Sequence, residues 1–203
     1  MSNYLNTSLK EGDVLDIMPP MGKFILNPSP SSANHYFMFG GGSGITPLLS
    51  IIKTALKEEP NSYCYLVYAN RNEESVIFKD QIDALESAYA NFKVVYSHDN
   101  PTGQWLGLRG FLTEEKVSEI VRQELGLNYP TARYYTCGPG IMMNLVVQGL
   151  KKIGVREENI NTEYFTAKTK EETLPTEINV DSNYSDEIIE RSILVEVFGE
   201  QKE

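Results

Sequence analysis

The chain has 203 residues, 41% of them hydrophobic, and its 28 acidic against 18 basic residues give a formal net charge of −10. That length supports one substantial core, and the charge speaks against a nucleic-acid partner, whose binders carry a basic patch. No run reaches the ~18 apolar residues of a membrane span, and the opening MSNYLNTSLK has no apolar signal region, so a soluble, cytoplasmic protein without a membrane partner is expected. Two cysteines, Cys64 and Cys137, are too few for a disulfide framework or a four-thiolate metal site, so no metal ligands are assigned.

In chain order, residues 1–28 contain DVLDIM and KFIL around PPMG, which read as two short strands and a turn, too little for a domain. HYFMF (35–39) is a continuous apolar run, as in a strand buried on both faces. PLLSIIKTALKEE (47–59) places Leu48, Ile51, Ile52, Ala55 and Leu56 on one helical face. SYCYLVYAN (62–70) predicts a second strand, SVIFKDQIDALESAY (75–89) a second helix and NFKVVYS (91–97) a third strand. TEEKVSEIVRQEL (113–125) is a third helix with a partial capping box, since Lys116 stands where Glu or Gln would. ARYYTC (132–137), IMMNLVVQGLKKIG (141–154) and ENINTEYF (158–165) add a strand, a helix and a strand. Five strands separated by four helices predict an α/β fold, a parallel five-stranded Rossmann-like sheet with helices on both faces. Residues 167–191 are polar and acidic and read as a linker. SILVEVFGE (192–200) then alternates like a single strand. Either the chain is part of a longer protein, or this is a ragged C-terminus.

Between the first strand and its helix stands GGGSGITP (40–47). It is not the fingerprint G-x-G-x-x-G: counted from Gly40 the last position is Ile45, and from Gly42 it is Pro47. No Gly-Lys-Ser/Thr follows, and a nucleophile elbow fails because Ile45 replaces the final glycine. An anion is still favoured. Thr46 is a good N-cap and Pro47 a good first helical residue, so free N–H groups and the helix dipole face the loop. Gly41, Gly42 and Gly44 would let a pyrophosphate approach without Cβ obstruction. The other reading is a tight turn with no ligand.

Arg71 follows the second strand, where an acid would accept the ribose 2′-hydroxyl of NAD. An arginine there fits the 2′-phosphate of NADP instead, or pairs with Glu73 or Glu74 at the surface. Cys137 ends the fourth strand, at the ligand-binding edge of a parallel sheet. With no adjacent histidine it is not placed as a nucleophile, and a buried structural thiol is its other reading. Cys64, Met142 and Met143 are read as core.

GGGSGITP, YANRNEESVIF (68–78), YTCGP (135–139) and NTEYF (161–165) together resemble, in order and spacing, the ferredoxin-NADP reductase superfamily. The resemblance implies an NAD(P)-binding domain over 32–166, with the pyrophosphate at Gly41, Gly42, Ser43, Gly44, Thr46 and Pro47. It implies nucleotide contacts from Asn70, Arg71 and Arg109, although Arg109 in LRGFLT otherwise caps the sheet edge. It puts the Cys137 sulfur beside the nicotinamide C4, Gly138 and Pro139 near the nicotinamide or its ribose, and Glu163 and Phe165 near flavin and nicotinamide, Cys137 and Glu163 being the catalytic candidates. At the front, SNYLNTSLKEGDVLDIMPPMGKF resembles the tail of the family's flavin barrel (1–28), with Ser2 at a flavin-pyrophosphate position. SILVEVFGE resembles the opening strand of a plant-type [2Fe–2S] domain (192–203). That order is similar to the reductase component of phenylacetyl-CoA epoxidase and related oxygenase reductases. It implies hydride transfer from NADPH or NADH to FAD, and electrons passed through a [2Fe–2S] cluster to an oxygenase or another acceptor protein. The family's Arg-x-Tyr-Ser flavin motif and four cluster cysteines are absent, so FAD and the cluster are expected only in a longer protein. The alternatives are a flavodoxin- or flavohaemoprotein-type reductase without an iron–sulfur domain, and a non-catalytic nucleotide-binding module.

Overall fold

The computed structural model of the protein describes residues 2–165, 195–197 and 200–202. The chain divides into two compact units, Met1–Glu172 and Thr173–Glu203. The acidic stretch expected as a linker, 167–191, lies outside the described residues.

In the first unit the helices are α1 (Ser2–Thr7), α2 (Ile45–Glu58), α3 (Lys79–Ala88), α4 (Glu114–Leu125) and α5 (Gly140–Lys152). The strands are β1 (His35–Gly41), β2 (Tyr63–Asn70), β3 (Phe92–His98), β4 (Leu108–Arg109), β5 (Arg133–Cys137) and β6 (Ile160–Glu163). They form one sheet in the order β4-β3-β2-β1-β5-β6, with every pair parallel. Parallel neighbours need a crossover; α2, α3 and α5 each lie between two paired strands, whereas β3 and β4 are joined by a loop.

The apolar run of β1 follows from its central place. Tyr36 and Met38 pack with Ile45, Leu48, Ile52 and Ile82 of α2 and α3. Phe37 and Phe39 point the other way and pack with Val117, Val121, Val146 and Leu150 of α4 and α5. Side chains alternate across a strand, so a strand covered on both faces has no position left for a polar residue. All four of these β1 side chains are essentially fully buried.

Three details of this unit depart from the sequence-based expectation. The sheet has six strands, because Leu108 and Arg109 pair with Ser97 and His98; two residues are too short to show alternation. No strand forms over DVLDIM or KFIL, and the described N-terminal segment instead begins with α1. A strand exists only with a ladder partner for its N–H and C=O groups, and neither segment has one among the described residues. Helix α3 starts at Lys79 and not at Ser75. Asn72 and Ser75 bond reciprocally (Ser75 N–H to Asn72 Oδ1 3.0 Å, Asn72 N–H to Ser75 Oγ 3.1 Å) and close a separate 3-10 turn over Glu73–Ser75. Phe78 then takes a left-handed φ of 59°, which no helix accommodates. Thr113 does cap α4, accepting the Lys116 N–H at 3.3 Å.

In the second unit β7 (Val195–Val197) and β8 (Glu200–Lys202) pair antiparallel, with Val195 opposite Lys202. One strand was expected over 192–200; a lone strand leaves its ladder open, and here the chain pairs with itself.

Among the described residues no helix is long and apolar enough to cross a membrane. Phe39→Ala, which empties the α4/α5 side of β1, is expected to lower unfolding stability by about 3–5 kcal/mol. The midpoint of urea denaturation would fall with the slope unchanged.

Candidate functional site

Because every strand runs the same way, all six carboxyl ends lie on one edge. In sheet order that edge carries Arg109, His98, Asn70, Gly41, Cys137 and Glu163. The register sets them side by side: His98 opposite Arg109, Asn70 opposite His98, Gly40 opposite Cys137, and Cys137 opposite Glu163. At β1 the winding reverses, since β2 and β5 flank it on opposite sides. A ligand of an open α/β sheet sits in the crevice at such a switch point.

The turn out of β1 is a single 3-10 turn, Gly42–Gly44, that runs directly into α2. The expected cap is corrected here. Gly44 is the N-cap, and Thr46 and Pro47 are the second and third residues of the helix, because the Gly42–Gly44 turn is already helical. Thr46 Oγ1 donates to the Ser43 carbonyl at 3.1 Å instead of capping. Pro47 is tolerated in the first turn, where no N–H is needed. Gly42 and Ser43 open this turn, where amides have no partner within the helix.

The glycines divide between two tasks. A Cβ on Gly44 would stand 2.1 Å from the Cys137 carbonyl oxygen, and one on Gly41 would stand 2.7 Å from Pro139 Cδ. These two glycines press the β1–α2 turn against the turn after β5, so the room assigned to a pyrophosphate there is taken by protein. Gly42 differs. Its φ of 49° is left-handed, and nothing lies within 4 Å of where its Cβ would be. The open approach is at Gly42 and the exposed Ser43. Tyr68 steadies this turn by donating its hydroxyl to the Gly42 carbonyl at 3.0 Å. Burial pushes that hydroxyl's pKa up to about 12, so it remains a donor.

Across the crevice, Cys137 has no exposed surface. Burial, helped by the nearby Glu163 charge, pushes its thiol up to about 11. Glu163 is half-buried at the end of β6. Gly138 (φ 152°) makes the reciprocal close approach, since its Cβ would stand 2.9 Å from the Gly41 nitrogen, and Pro139 is the N-cap of α5.

Further along, Asn70 is only 6% exposed, yet among the described residues neither its Oδ1 nor its Nδ2 has a hydrogen-bond partner. A buried, unsatisfied amide costs about 1–3 kcal/mol, and a polar ligand along this edge would relieve that cost. The Nδ1 of buried His98 on the next strand is likewise unpartnered, with its ring 4.2 Å from that of Trp105. Arg71 is exposed and, among the described residues, pairs with neither Glu73 nor Glu74; Glu73 accepts from Thr102 instead. Arg109 donates to the Trp105 carbonyl at 2.6 Å and so shapes the loop before β4.

The fold therefore gathers Gly41, Gly42, Ser43, Gly44, Cys137, Gly138 and Pro139 into one crevice, with Asn70, Arg71 and Arg109 on one side and Glu163 on the other. Phe165 lies just past β6 and is exposed. Ser2 belongs to α1 and not to this edge. Sequence reasoning missed Tyr68, His98 and Trp105; the position of His98 at a strand's carboxyl end was the available signal. Among the described residues no group of three or more His, Cys, Asp or Glu could hold a metal ion.

Gly44→Ala is expected to force the two turns apart and weaken nucleotide binding at least about tenfold, the scale set by roughly angstrom displacements, as read by calorimetric titration. Neither thiol is expected to react with iodoacetamide at mildly alkaline pH in the native state, because burial raises Cys64 to about 12 and Cys137 to about 11 and leaves both protonated. Denaturation should expose both to alkylation, counted by mass.

A ferredoxin reductase component of 3-ketosteroid-9-alpha-monooxygenase from Rhodococcus rhodochrous is 34% identical over 168 residues, covering 82% of this chain and 43% of that protein. A flavohemoprotein of Bacillus cereus is 32% identical over 171 residues, covering 83% of this chain and 41% of its own length. This chain thus spans less than half of either. In fold it is similar to the cytochrome b5 reductase domain of Ulva prolifera nitrate reductase, with a TM-score of 0.68 and 22% identity over 80% of this chain and 65% of that one. Residues 38–148 match the oxidoreductase NAD-binding domain, and with the crevice between β1 and β5 on that stretch, the chain belongs to this family.

Proposed function

We propose that this chain is the nucleotide-binding part of an NAD(P)H-dependent reductase. The observation that carries the reading is the Gly42–Gly44 turn, open above Gly42 and running into α2 at the β1/β5 switch point. Its free amides and helix start suit a pyrophosphate, and local donors are what an anion requires in a chain of net charge −10. The nucleotide would lie along the edge, with Asn70 and Arg71 toward the adenosine end and Cys137, Gly138 and Glu163 toward the nicotinamide. Bound NAD(P)H supplies a hydride that flavin accepts. The chain's own residues would bind and orient. Cys137, protonated and uncharged, offers packing and not nucleophilic attack, and Glu163 stands beside it at the end of β6.

Arg71, exposed and without an ion-pair partner among the described residues, favours NADPH, because a guanidinium binds a 2′-phosphate bidentately. We assign residues 1–28 to the end of a flavin barrel, with Ser2 and Phe165 on the flavin side, and 192–203 to the start of a [2Fe–2S] domain. Electrons would then pass to an oxygenase, with the reductase of phenylacetyl-CoA epoxidase the resemblance that names one. The Rhodococcus relative, a monooxygenase's reductase component, supports an oxygenase partner. A reductase with haem and no iron–sulfur domain is the second reading, favoured by the flavohemoprotein relative. Two free, buried thiols are what a reducing compartment such as the cytoplasm maintains.

In the full-length, flavin-loaded protein, anaerobic NADPH should bleach the flavin absorbance, and a colour unchanged by both NADPH and NADH would refute the reading. Arg71→Ala should raise the Kd for NADPH by about 10-fold or more, the loss of a charge-assisted contact, and leave that for NADH unchanged. An iron–sulfur signal that bleaches with the flavin would separate the oxygenase reading from the haem one.

A further inference from the structure

Glu59, just past the end of α2, is a carboxylate with no exposed surface, and the nucleotide edge makes no use of it. Its two oxygens accept three hydrogen bonds: from the Ser29 N–H at 3.0 Å, the Tyr36 hydroxyl at 2.8 Å and the Ser62 hydroxyl at 2.7 Å. Among the described residues no cation pairs with it. A buried charge without a counter-ion is tolerated only when fully hydrogen-bonded. Burial works to raise this carboxyl's pKa, but the donors from Ser62, Tyr36, Ser29 and Ser32 together outweigh it and hold the group below its usual range.

Two of the donors belong to the sheet's framework, Tyr36 on β1 and Ser62 just before β2. The third is on the strand-free segment leading into β1. There the chain reads Pro28-Ser29-Pro30, and proline has no N–H. Ser29 carries the only amide hydrogen of the three, and it is spent on Glu59. Asn34 closes the same clamp. Its N–H donates to Ser62 Oγ at 2.9 Å, its Nδ2 to the Tyr36 hydroxyl at 2.9 Å, and its carbonyl accepts the Tyr63 N–H at 2.8 Å.

Followed backwards from this clamp, the segment reaches β5. The Phe24 ring meets that of Tyr135 edge-on, centroids 5.4 Å apart, and Tyr135 donates its hydroxyl to the Ile25 carbonyl at 3.4 Å. Tyr135 lies two residues before Cys137. Beside this stretch is a polar cavity of about 600 Å³ lined in part by Lys23, Asn27, Arg133 and Asn161. Phe24 and Leu26 pack against the α2/α3 side of the core, and the exposed residues between them and Ser29 leave the strap held at separate anchors.

We infer that Glu59 is a positioning residue: by pinning the strap over residues 27–34 to the start of the sheet, it sets where the chain ahead of the strap meets the nicotinamide end of the crevice. This rests on the reductase reading, in which the flavin-bearing part precedes the strap. In the full-length, flavin-loaded protein, Glu59→Gln should slow single-turnover flavin reduction by NAD(P)H roughly 10- to 100-fold, the scale of an angstrom-sized misplacement. Nucleotide affinity should stay unchanged, and amide exchange over residues 31–34 should accelerate. Ser29→Pro, which removes the amide donor, should reproduce both effects, and Ser29→Ala, which keeps that amide and loses only the hydroxyl that meets Ser31, neither; this pair decides the matter even if Glu59→Gln folds poorly. Unchanged reduction in both Glu59→Gln and Ser29→Pro, with the wild type active, overturns the inference and leaves the reductase reading standing. A rate loss that merely follows lost nucleotide affinity overturns it as well. A wild type whose flavin NAD(P)H never reduces overturns both.

Discussion

The peptide joining Cys137 to Gly138 lies against Gly44 with no space for a single added carbon. That contact ties the turn after β1 to the turn after β5, and the crevice exists because the two are held together. Gly41 and Gly138 complete it from either side, each excluding a Cβ. Interiors packed at crystal density transmit such constraints instead of absorbing them. A displacement at any of the three glycines reaches the opening above Gly42, which is the face a ligand would meet.

The rest of the molecule serves that contact. A central strand buried on both sides gives β1 and β5 a fixed separation, and the two helix layers supply the apolar mass that holds them. Tyr68 belongs to both tasks, since its ring fills the α2/α3 face and its hydroxyl reaches the Gly42 carbonyl. Along the edge the polar groups are uncommonly bare. Asn70 and His98 are buried with unmet hydrogen-bonding capacity. Unsatisfied groups of this kind are rare in native interiors and call for an explanation; a ligand lying across the strand ends is the one the geometry supports.

An acidic protein that takes up an anionic nucleotide must do so locally. Net charge acts over roughly the Debye length and is screened by salt, whereas amides at a helix start act at contact distance. Arg71, which among the described residues pairs with neither of its acidic neighbours, is the side-chain counterpart of that arrangement.

Much was already legible in the sequence. The apolar runs of HYFMF and YCYLVY, the helical face of PLLSIIKTALKEE and the Thr113 cap are properties of single segments. Propensity and periodicity therefore determined the helix and strand order, the doubly covered sheet and the edge on which Gly42, Cys137 and Glu163 would fall. The family resemblance of GGGSGITP and YTCGP was legible for the same reason. What the tertiary structure decided involves two segments at once. That Gly41 and Gly44 make room for protein while Gly42 faces open space depends on how closely β5 approaches, which no spacing encodes. The start of α2 ahead of Thr46, the two-residue β4, the separation of Arg71 from Glu73 and Glu74, and the pinning of Ser29 by Glu59 are of the same kind. Each depends on contacts between residues distant in sequence, and a hydrogen bond or a clash exists only once both partners have been brought to one place.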